Sequence, residues 1–407
     1  MSAATADSSS IAANVVERIR QLGCITDEPP LLTRTFLSPA MGEATRHVAA
    51  WMETAGLKVS IDAWGNIVGR LESKKPGAKT LLLGSHLDTV RNAGQYDGPL
   101  GVLLALGACE ELAGAELPFH IDVAGFSDEE GVGFHSTYLG SKALTGLITP
   151  ADLDQKDEAG KILAQAVGCG ETLPRSRYAP DDLLGYVEAH IEQGPVLEAA
   201  GQALGVVTAI AAQSRYIFIF SGLANHAGTT PMNLRRDALA GAAEFITRVE
   251  QAAKDTEGLV ATVGQIKAEP NVSNVIAQTV TVSLDVRHAD NAVVASTIDR
   301  LVEEAVQLSE HRGLTVSFTN VQSIDAVACD PALTAKLARA VEKFQHPVPH
   351  LPSGAGHDGV ILSQLAPIAM LFIRCRNGLS HHPDEHVEPA DIALALRALV
   401  TFIRELA

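Results

Sequence analysis

The 407-residue sequence has no surplus of basic side chains, since 31 Lys and Arg stand against 48 Asp and Glu and give a formal net charge of −17. Proteins that bind nucleic acid neutralise phosphates with Lys and Arg, so this shortage argues against that class of partner. The sequence also lacks any uninterrupted apolar run near the roughly 18 residues of a membrane-crossing helix, and it opens without the basic-then-apolar pattern of a secretory signal. We therefore expect a cytoplasmic protein with neither a nucleic-acid nor a membrane partner.

Cysteine is scarce, and its spacing excludes two kinds of site. Cys24, Cys109, Cys169, Cys329 and Cys375 are odd in number and are never spaced as CxxC. This pattern fits a reducing compartment and excludes a disulfide framework and a cysteine-based zinc site. We expect the cysteines to be small buried apolar residues of an ordinary globular core, because 46% of the chain is hydrophobic and 19% is charged.

Apolar segments that alternate with helical patterns predict an α/β domain. Residues 80–86 and 120–126 have the continuous apolar character of buried strands, and a helix is predicted between them over 99 to about 113. The C-terminal part returns to this style, with an apolar strand over 367–374 and a helix over 389–406. The sequence therefore predicts a sheet covered by helices on both faces.

The middle of the chain has a different character. Its predicted order of strand, helix, strand, strand, helix, strand is that of a ferredoxin-like α+β unit. The patterns that indicate this order are a strand over 215–222, a helix from Pro231 to about Ala253, a strand over 279–288, a helix over 291–311 and a strand after it. We predict a catalytic domain formed by residues 1–213 and 328–407, with residues 214–327 inserted into it as a second domain.

Residues with metal-binding chemistry follow the predicted strands. His86 and Asp88 lie at the end of one strand, where ligands bind in α/β sheets, and the Asp88 carboxylate can hydrogen-bond the imidazole. A surface His beside a turn Asp explains this pair equally well. Asp97 precedes a predicted helix and suits its N-cap position, a role that does not exclude metal ligation.

Acidic and histidine residues recur at three further places. The three adjacent acids Asp128–Glu130 follow the strand 120–126, and such a run is costly at a buried strand end without a cation, because close carboxylates raise one another's pKa. A solvated acidic loop is the alternative. His190 and His381 complete a set of His, Asp and Glu residues of the kind that binds zinc or manganese in hydrolytic sites.

The order of seven motifs along the chain is distinctive. The motifs are GSHLDTV, YDGPLG, DEEG, AHIEQGP, NHAGTTPM, GHD and SHHPDE. In this order the chain resembles the dinuclear metallo-amidohydrolases of the M20 peptidase superfamily, and within them the hydantoinase/carbamoylase branch, from about Thr33 to the C-terminus. The resemblance implies an α/β catalytic domain with an inserted ferredoxin-like lid and dimerisation domain, two divalent ions per subunit (zinc or manganese), and a homodimer.

The resemblance also implies which residues hold the two ions, with Asp97 shared between them. The ligands are His86, Asp97 and His190 for one ion and Asp97, Glu130 and His381 for the other. Glu129 matches the general base, and Asp88 matches the residue that orients His86. The implied nucleophile is a hydroxide that bridges the two ions.

Substrate contacts are implied in both predicted domains. His226 matches a residue that family members extend across a dimer interface to polarise the scissile carbonyl. Arg287 matches one that binds a substrate carboxylate through its planar fork, and an ordinary exposed charge is the less favoured alternative for Arg287. The other positions that match substrate contacts are Gln193, Gln213, Asn274 and His357.

The implied reaction is hydrolysis of the linear ureido C–N bond of allantoate, which releases ammonia and carbon dioxide. N-carbamoyl-L-amino acids carry the same ureido group beside a carboxylate, so an N-carbamoyl-L-amino-acid hydrolase or a β-ureidopropionase is the alternative. An M20 aminopeptidase and a metal-free binding protein are remoter alternatives. The binding protein is disfavoured because every matched ligand and Glu129 are present.

Overall fold

The computed structural model describes residues 8–134 and 136–407, which form two compact units of helices and sheets. The first unit runs to Thr208 and resumes with Cys329–Ala407, and the second is Ala209–Ala328. The predicted α/β class is confirmed. The helices are α1 (Ser8–Leu22), α2 (Pro39–Thr54), α3 (Pro99–Glu111), α4 (Leu139–Thr145), α5 (Pro150–Leu153), α6 (Leu163–Val167), α7 (Val196–Ala199), α8 (Ala238–Lys254), α9 (Asn291–Arg312), α10 (Pro331–Glu342), α11 (Gly359–Leu362) and α12 (Pro389–Leu406). The strands are β1 (Lys58–Ile61), β2 (Ile67–Leu71), β3 (Thr80–His86), β4 (His120–Phe126), β5 (Leu183–Ile191), β6 (Leu204–Ile210), β7 (Ala212–Ser221), β8 (Val260–Thr262), β9 (Ile266–Glu269), β10 (Thr279–His288), β11 (Thr315–Ile324), β12 (Val327–Ala328), β13 (His350–Ser353) and β14 (Ile368–Ile373).

The sheet of the first unit is mixed. Its strand order is β1-β2-β4-β3-β5-β14-β6, and β13 also pairs with β6. The four central strands β4, β3, β5 and β14 are parallel, while the strands on either side of them are antiparallel. Parallel strands are buried on both faces, which explains the continuous apolar runs of β3 and β4.

Alternation along the central strands divides core residues from polar residues. Leu81 and Leu83 of β3 face the main hydrophobic core, which the helices α1, α3, α10 and α12 cover. Successive side chains of a strand point to opposite faces, so His86 lies on the other face of β3. On β5, Glu188 and His190 also alternate with core residues. The strand period therefore places these three polar side chains on the face away from the main core.

The helix α3 is buried along nearly its whole length, from Pro99 to Cys109. The prediction that Asp97 caps this helix is wrong. Gly98 occupies the N-cap position with a φ of 82°, and no side chain caps the helix there. The carboxylate of Asp97 instead faces histidine side chains, as described below, and a carboxylate so engaged does not turn back to the helix amides.

The sheet of the second unit is antiparallel, with the order β11-β7-β10-β8, and β9 also pairs with β10. The helices α8 and α9 pack on one face, over a core that includes Phe218, Phe220 and Phe245. The helix predicted from Pro231 begins later, at Ala238, because Asp237 caps it by accepting hydrogen bonds from the amides of Leu239 and Ala240. At the ends of this unit, Ala328 of β12 pairs with Ala209 of β6.

Two expectations from composition can be compared with the structure. Within residues 8–134 and 136–407, no helix combines the length and the apolar character that crossing a bilayer requires. All five cysteines are free thiols. Cys109, Cys329 and Cys375 are buried as expected, whereas Cys24 is exposed and Cys169 is half-buried, so the expectation of burial is wrong for Cys24.

Helix α3 lies so close to the sheet that Gly101 has no room for a side chain. A Cβ there would overlap the carbonyl oxygen of Ala189 and lie 2.8 Å from the Cβ of Ser85. We expect Gly101→Ala to lower the free energy of unfolding by about 1–3 kcal/mol, because a close-packed interior accommodates extra atoms only with strain. Urea and thermal unfolding measure this change.

The matched control is Gly42→Ala in α2. The nearest neighbour of a Cβ at Gly42 is the Arg46 guanidinium, 3.6 Å away. The higher helix propensity of alanine should then raise the free energy of unfolding by about 0.5–1 kcal/mol. Effects of the same sign at both positions would contradict the close approach at Gly101.

Candidate metal centre and active site

Five segments that are distant in sequence meet in the first unit. His86 ends β3, Glu129 and Glu130 follow β4, and His190 lies near the end of β5. His381 follows β14, and Asp97 immediately precedes Gly98 and α3. Because β3, β4, β5 and β14 are parallel, their carboxyl ends lie at one edge of the sheet, where ligands bind in α/β folds.

The two carboxylate oxygens of Asp97 face different histidines. Oδ1 lies 3.1 Å from Nε2 of His190 and 3.6 Å from Nε2 of His86. Oδ2 lies 3.1 Å from Nε2 of His381, and the same Nε2 lies 3.3 Å from Oε1 of Glu130. Asp97 therefore belongs to two groups of ligand atoms, one on each of its oxygens.

These contacts perturb the acid–base properties of the group. Burial by itself would raise the pKa of Asp97, but hydrogen bonds with His190, His381 and His86 outweigh burial and hold that pKa well below its usual range. Hydrogen bonds to Asp97 and Glu130 raise the pKa of His381 to about 10. The side chains thus share protons in the absence of ions, and those protons must leave when a cation binds.

The outer ring nitrogens of two histidines contact main-chain carbonyls. Nδ1 of His86 lies 3.1 Å from the carbonyl oxygen of Asp88 and 3.4 Å from its Oδ1, and Nδ1 of His190 lies 2.9 Å from the carbonyl oxygen of Ile191. A proton on each Nδ1 satisfies these contacts and leaves Nε2 as the ligand atom. The Asp88 carboxylate also accepts hydrogen bonds from the amides of Glu129, at 3.0 Å, and Glu130, at 3.2 Å. Asp88 thereby positions both His86 and the acidic segment.

The acidic segment after β4 is buried. Glu129 is only 8% exposed, and burial raises its pKa well above the usual range, while nearby His86 opposes the rise and Glu130 adds to it. Burial likewise raises the pKa of Asp128 and of Glu130. The alternative of a solvated acidic loop is therefore wrong, because Asp128 and Glu129 are both buried.

The donor set fits divalent cations. The described residues include two groups that share Asp97 and have their ligand atoms within 4.8 Å of one another, namely His86, Asp97 and His190, and Asp97, Glu130 and His381. Ligand atoms on one tetrahedral zinc lie about 3.4 Å apart, given bonds of about 2.0–2.1 Å. The 3.1 and 3.6 Å contacts of Asp97 Oδ1 match that spacing. Two overlapping groups of the same kind are His86, Glu129 and Glu130, and Glu188, His190 and His357.

Gln193, which the motifs place at the substrate, contacts Asp97 in the structure. Its Nε2 donates to Asp97 Oδ2 at 2.9 Å and to Ser380 Oγ at 3.1 Å. Its Oε1 is buried and has no hydrogen-bond partner among the described residues. Both Gln193, with a φ of 56°, and His381, with a φ of 55°, are in the left-handed region, which costs a non-glycine residue about 1–3 kcal/mol and is typical of functional sites.

His357 lies beside the histidines of this centre. Its ring centroid is 4.5 Å from that of His190, and its Nε2 is 2.7 Å from Ser353 Oγ. Burial, together with the neighbouring His190, holds the pKa of His357 well below its usual range. A neutral imidazole at this place can donate or accept a hydrogen bond without adding charge.

In the second unit, Gln213 and Arg287 are register partners on β7 and β10. The Arg287 guanidinium donates to both oxygens of Asp285, from Nε at 2.8 Å and from Nη2 at 2.9 Å. Gln213 Nε2 donates to Asp285 Oδ2 at 3.3 Å. Arg287 is thus held in a fixed orientation by a carboxylate of its own strand, and its side chain is 26% exposed.

His226 and Asn274 are brought together elsewhere in the second unit. The residue after His226 donates its amide to the Asn274 carbonyl at 2.9 Å. Nδ1 of His226 accepts the amide of Gly228 at 3.0 Å, so a neutral ring carries its proton on Nε2. Arg235 closes the loop by donating to the carbonyl oxygens of Ala227 and Thr230. The loop therefore presents an N–H donor at the tip of an exposed imidazole.

Residues 82–405 match the family described as Peptidase family M20/M25/M40. The chain belongs to this family. Its enzymes use divalent metal ions, which agrees with the candidate ligand groups described above. The resemblance that the seven motifs indicated is confirmed.

Relatives within this M20 family cover nearly the whole chain. An allantoate deiminase of Arabidopsis thaliana is 39% identical over 95% of this chain and 81% of its own length. An N-carbamoyl-L-amino acid amidohydrolase of Geobacillus stearothermophilus is 37% identical over 96% of this chain and 97% of its own length. The crystal structure of a hydantoinase/carbamoylase family amidase from Burkholderia multivorans has a TM-score of 0.90 at 32% identity, covering 96% of this chain and 97% of that chain. The M20 member described here is accordingly a hydrolase of the amidohydrolase type.

Two residues of the SHHPDE motif that received no role from the sequence also contact this centre. Ser380 Oγ lies 2.9 Å from Asp97 Oδ2 and 3.2 Å from Glu385 Oε2. Glu385 is 5% exposed, and burial together with the charge of Asp97 raises its pKa to about 7. The motif contains both residues, but nothing in their spacing indicates which distant groups they contact.

The metal-free protein should lose stability as the pH rises. The pKa of His381 is raised from 6.5 to about 10 on folding, so its contribution to stability is complete below pH 6.5 and is lost as the pH approaches 10. The raised pKa values of Glu129 and Glu130 act in the same direction above about pH 4.5, because the folded state holds protons that the unfolded state releases. The lowered pKa values of Asp97 and His357 have the opposite effect, but mainly below about pH 4 for Asp97 and below about pH 6.5 for His357.

We therefore expect the Tm of chelated protein to fall between pH 6 and pH 9, and added Mn²⁺ or Zn²⁺ to raise the Tm more at pH 8 than at pH 6. Scanning calorimetry at each pH measures both effects. His381→Asn should flatten the fall, whereas His382→Asn, at the exposed neighbouring position, should leave it unchanged. An unaltered slope in His381→Asn would show that this side chain does not carry the effect.

Proposed function

We propose that this M20 member is a dinuclear-metal amidohydrolase that hydrolyses a linear ureido C–N bond of allantoate. The observation that carries the proposal is the placement of the two Asp97 oxygens in two separate ligand groups. The similarity to an allantoate deiminase over 95% of the chain supports the choice of substrate.

In this proposal His86, Asp97 and His190 hold one divalent ion, and Asp97, Glu130 and His381 hold the other. The open coordination and the mixed His and carboxylate donors suit zinc or manganese. Such a pair of ions supplies a water of lowered pKa and polarises the substrate carbonyl.

Glu129 is the proposed general base. Its raised pKa suits it to take the proton of the attacking water, whose oxygen forms a bond to the carbamoyl carbon. Glu129 then returns the proton to the nitrogen that leaves as the C–N bond breaks. The products are the amine and carbamic acid, and the acid decomposes to ammonia and carbon dioxide, which balances one substrate and one water.

The second unit supplies the remaining groups in this proposal. Residues 214–327 would form a ferredoxin-like lid and dimerisation domain, and His226 of one subunit of a homodimer would act on the substrate of the other. The Nε2 proton of His226 would stabilise the negative charge that develops on the carbonyl oxygen. The guanidinium plane of Arg287, fixed by Asp285, would bind the substrate carboxylate, with Gln213 and Asn274 as neighbouring contacts.

Gln193 bears on which groups of the substrate are recognised. Asp97 and Ser380 take up its Nε2 donor, so its buried Oε1 is the atom left to interact with a ligand. An acceptor that is otherwise unsatisfied favours a substrate with N–H groups, such as a ureido arm. His357 would contribute a further uncharged polar contact.

N-carbamoyl-L-amino acids are the second candidate class of substrate. The observation that favours them is the 37% identity to an N-carbamoyl-L-amino acid amidohydrolase, which is close to the 39% found for the allantoate deiminase. Both classes use the same ion ligands and the same base. The two substrates share the ureido group and the carboxylate, and they differ in the remaining substituent, which is a second ureido arm in allantoate and an amino-acid side chain in the carbamoyl compounds.

Ammonia release distinguishes the ureido substrates, and the release of free amino acids measures dipeptide hydrolysis. We expect manganese- or zinc-reconstituted protein to prefer allantoate to a panel of N-carbamoyl-L-amino acids and to dipeptides. Glu129→Gln should lower kcat by about 10²- to 10⁴-fold, because the amide cannot take the proton of the attacking water. Preference for a carbamoyl amino acid would show that allantoate is not the main substrate, but it would leave the proposed metal ligands and general base unchanged. Activity on dipeptides alone would contradict the proposal.

The role of His226 has a separate test. His226→Ala should lower kcat by about 10²- to 10³-fold and change KM less, because the donor acts on charge that appears only in the transition state. His311→Ala, at an exposed histidine in the last turn of α9, is the matched control. A variant that changes KM alone would assign His226 to ground-state binding instead.

A further inference from the structure

Glu385 connects the segment after β14 to the loop that carries Asp97. Its Oε1 accepts the amide of Tyr96 at 2.7 Å and the amide of Asp97 itself at 3.1 Å. Its Oε2 lies 3.2 Å from Ser380 Oγ, which also lies 2.9 Å from Asp97 Oδ2. Glu385 therefore restrains Asp97 twice. It accepts the main-chain amide of Asp97 directly, and it contacts the Ser380 hydroxyl that also contacts the Asp97 side chain.

The space between the Glu385 carboxylate and Gly94 is filled. A Cβ at Gly94 would overlap the Cβ of Glu385 and lie 2.5 Å from its Oε1, so the carboxylate lies directly against the main chain of the loop. Gly94 does not have a positive φ, and its lack of a side chain is required by this contact rather than by its conformation. The loop and the Glu385 side chain are thus in close contact, and the single methyl group of an alanine at position 94 would force them apart.

Glu385 is placed to position a ligand rather than to be one. None of the candidate ion-binding groups in the described residues includes it. The amides of Tyr96 and Asp97 converge on one buried oxygen and so fix the main chain at Asp97. The orientation of Asp97 in turn decides whether its Oδ1 reaches His190 and its Oδ2 reaches His381. Partners of this kind typically change metal affinity by 10- to 100-fold when they are removed.

We propose that Glu385 is the positioning residue that holds Asp97 in the orientation required to bridge two ions. The inference rests on the proposed function, in which Asp97 is the shared ligand. The Oε1 of Glu385 supplies this geometry by accepting both amides. Gln at this position keeps an acceptor oxygen, and Ala keeps none.

The test is a Co²⁺ titration of the full-length metal-free protein, followed by visible absorption and calorimetry. We expect Glu385→Ala and Gly94→Ala to weaken the binding of at least one ion by 10- to 100-fold and to alter the Co²⁺ spectrum, and Glu385→Gln to weaken it by less than tenfold. The matched control, Glu388→Gln, removes an exposed carboxylate three residues away that pairs with Arg376, and it should bind Co²⁺ like the wild type.

Wild-type Co²⁺ affinity and spectrum in both Glu385→Ala and Gly94→Ala would overturn the inference. A purely structural role would lower the Tm of the metal-free variants and leave Co²⁺ binding unchanged, which would also overturn it. If Glu385→Ala does not fold, Gly94→Ala and Glu385→Gln decide between these outcomes. A wild-type protein that binds no Co²⁺ would instead contradict the metal centre of the proposed function and the inference with it.

Discussion

The division of the Asp97 carboxylate, with His86 and His190 on one oxygen and His381 on the other, is the constraint on which the first unit depends. Each oxygen must face its own partners, so the residues around Asp97 leave it little freedom. Gly98 follows it with a φ of 82°, and a Cβ there would lie 2.5 Å from ring atoms of His86. The buried helix α3 begins at once and provides a rigid base. The backbone that follows Asp97 is therefore fixed by Gly98 and α3 in a way that orients the Asp97 side chain.

Burying so many carboxylates together has an electrostatic cost that the surrounding structure partly offsets. Arg34 is 1% exposed and donates to the carbonyl oxygens of Leu87, Leu22 and Ile25. Burial lowers the pKa of its guanidinium to about 10, and the charge of Asp88 opposes this change. The cation lies beside the His86–Asp88 segment without neutralising a ligand, which leaves the ligands themselves available to metal ions.

Local patterns predicted the central strands well, because an apolar run depends on short-range information. The apolar segments 80–86 and 120–126 are β3 and β4 with the same bounds. The metal-ligand prediction came from the resemblance of the motifs, and the structure brings the residues it named together into two groups. The start of α8 was misplaced because Pro231 suggests a helix start, whereas Asp237 makes the capping hydrogen bonds. The contacts of Glu385 with the amides of the Asp97 loop lie beyond any such pattern, because the partners are separated by 288 residues of chain.

The pairing of Ala209 with Ala328 has a consequence for how such a chain can be built. The chain enters and leaves the second unit through neighbouring antiparallel strands. For the rest of the polypeptide, the second unit is therefore equivalent to the loop of a β-hairpin. Closing a longer connection costs entropy only as the logarithm of its length. A gene could therefore gain, lose or exchange the whole insert at this one junction while the strands that carry the candidate metal ligands keep their register.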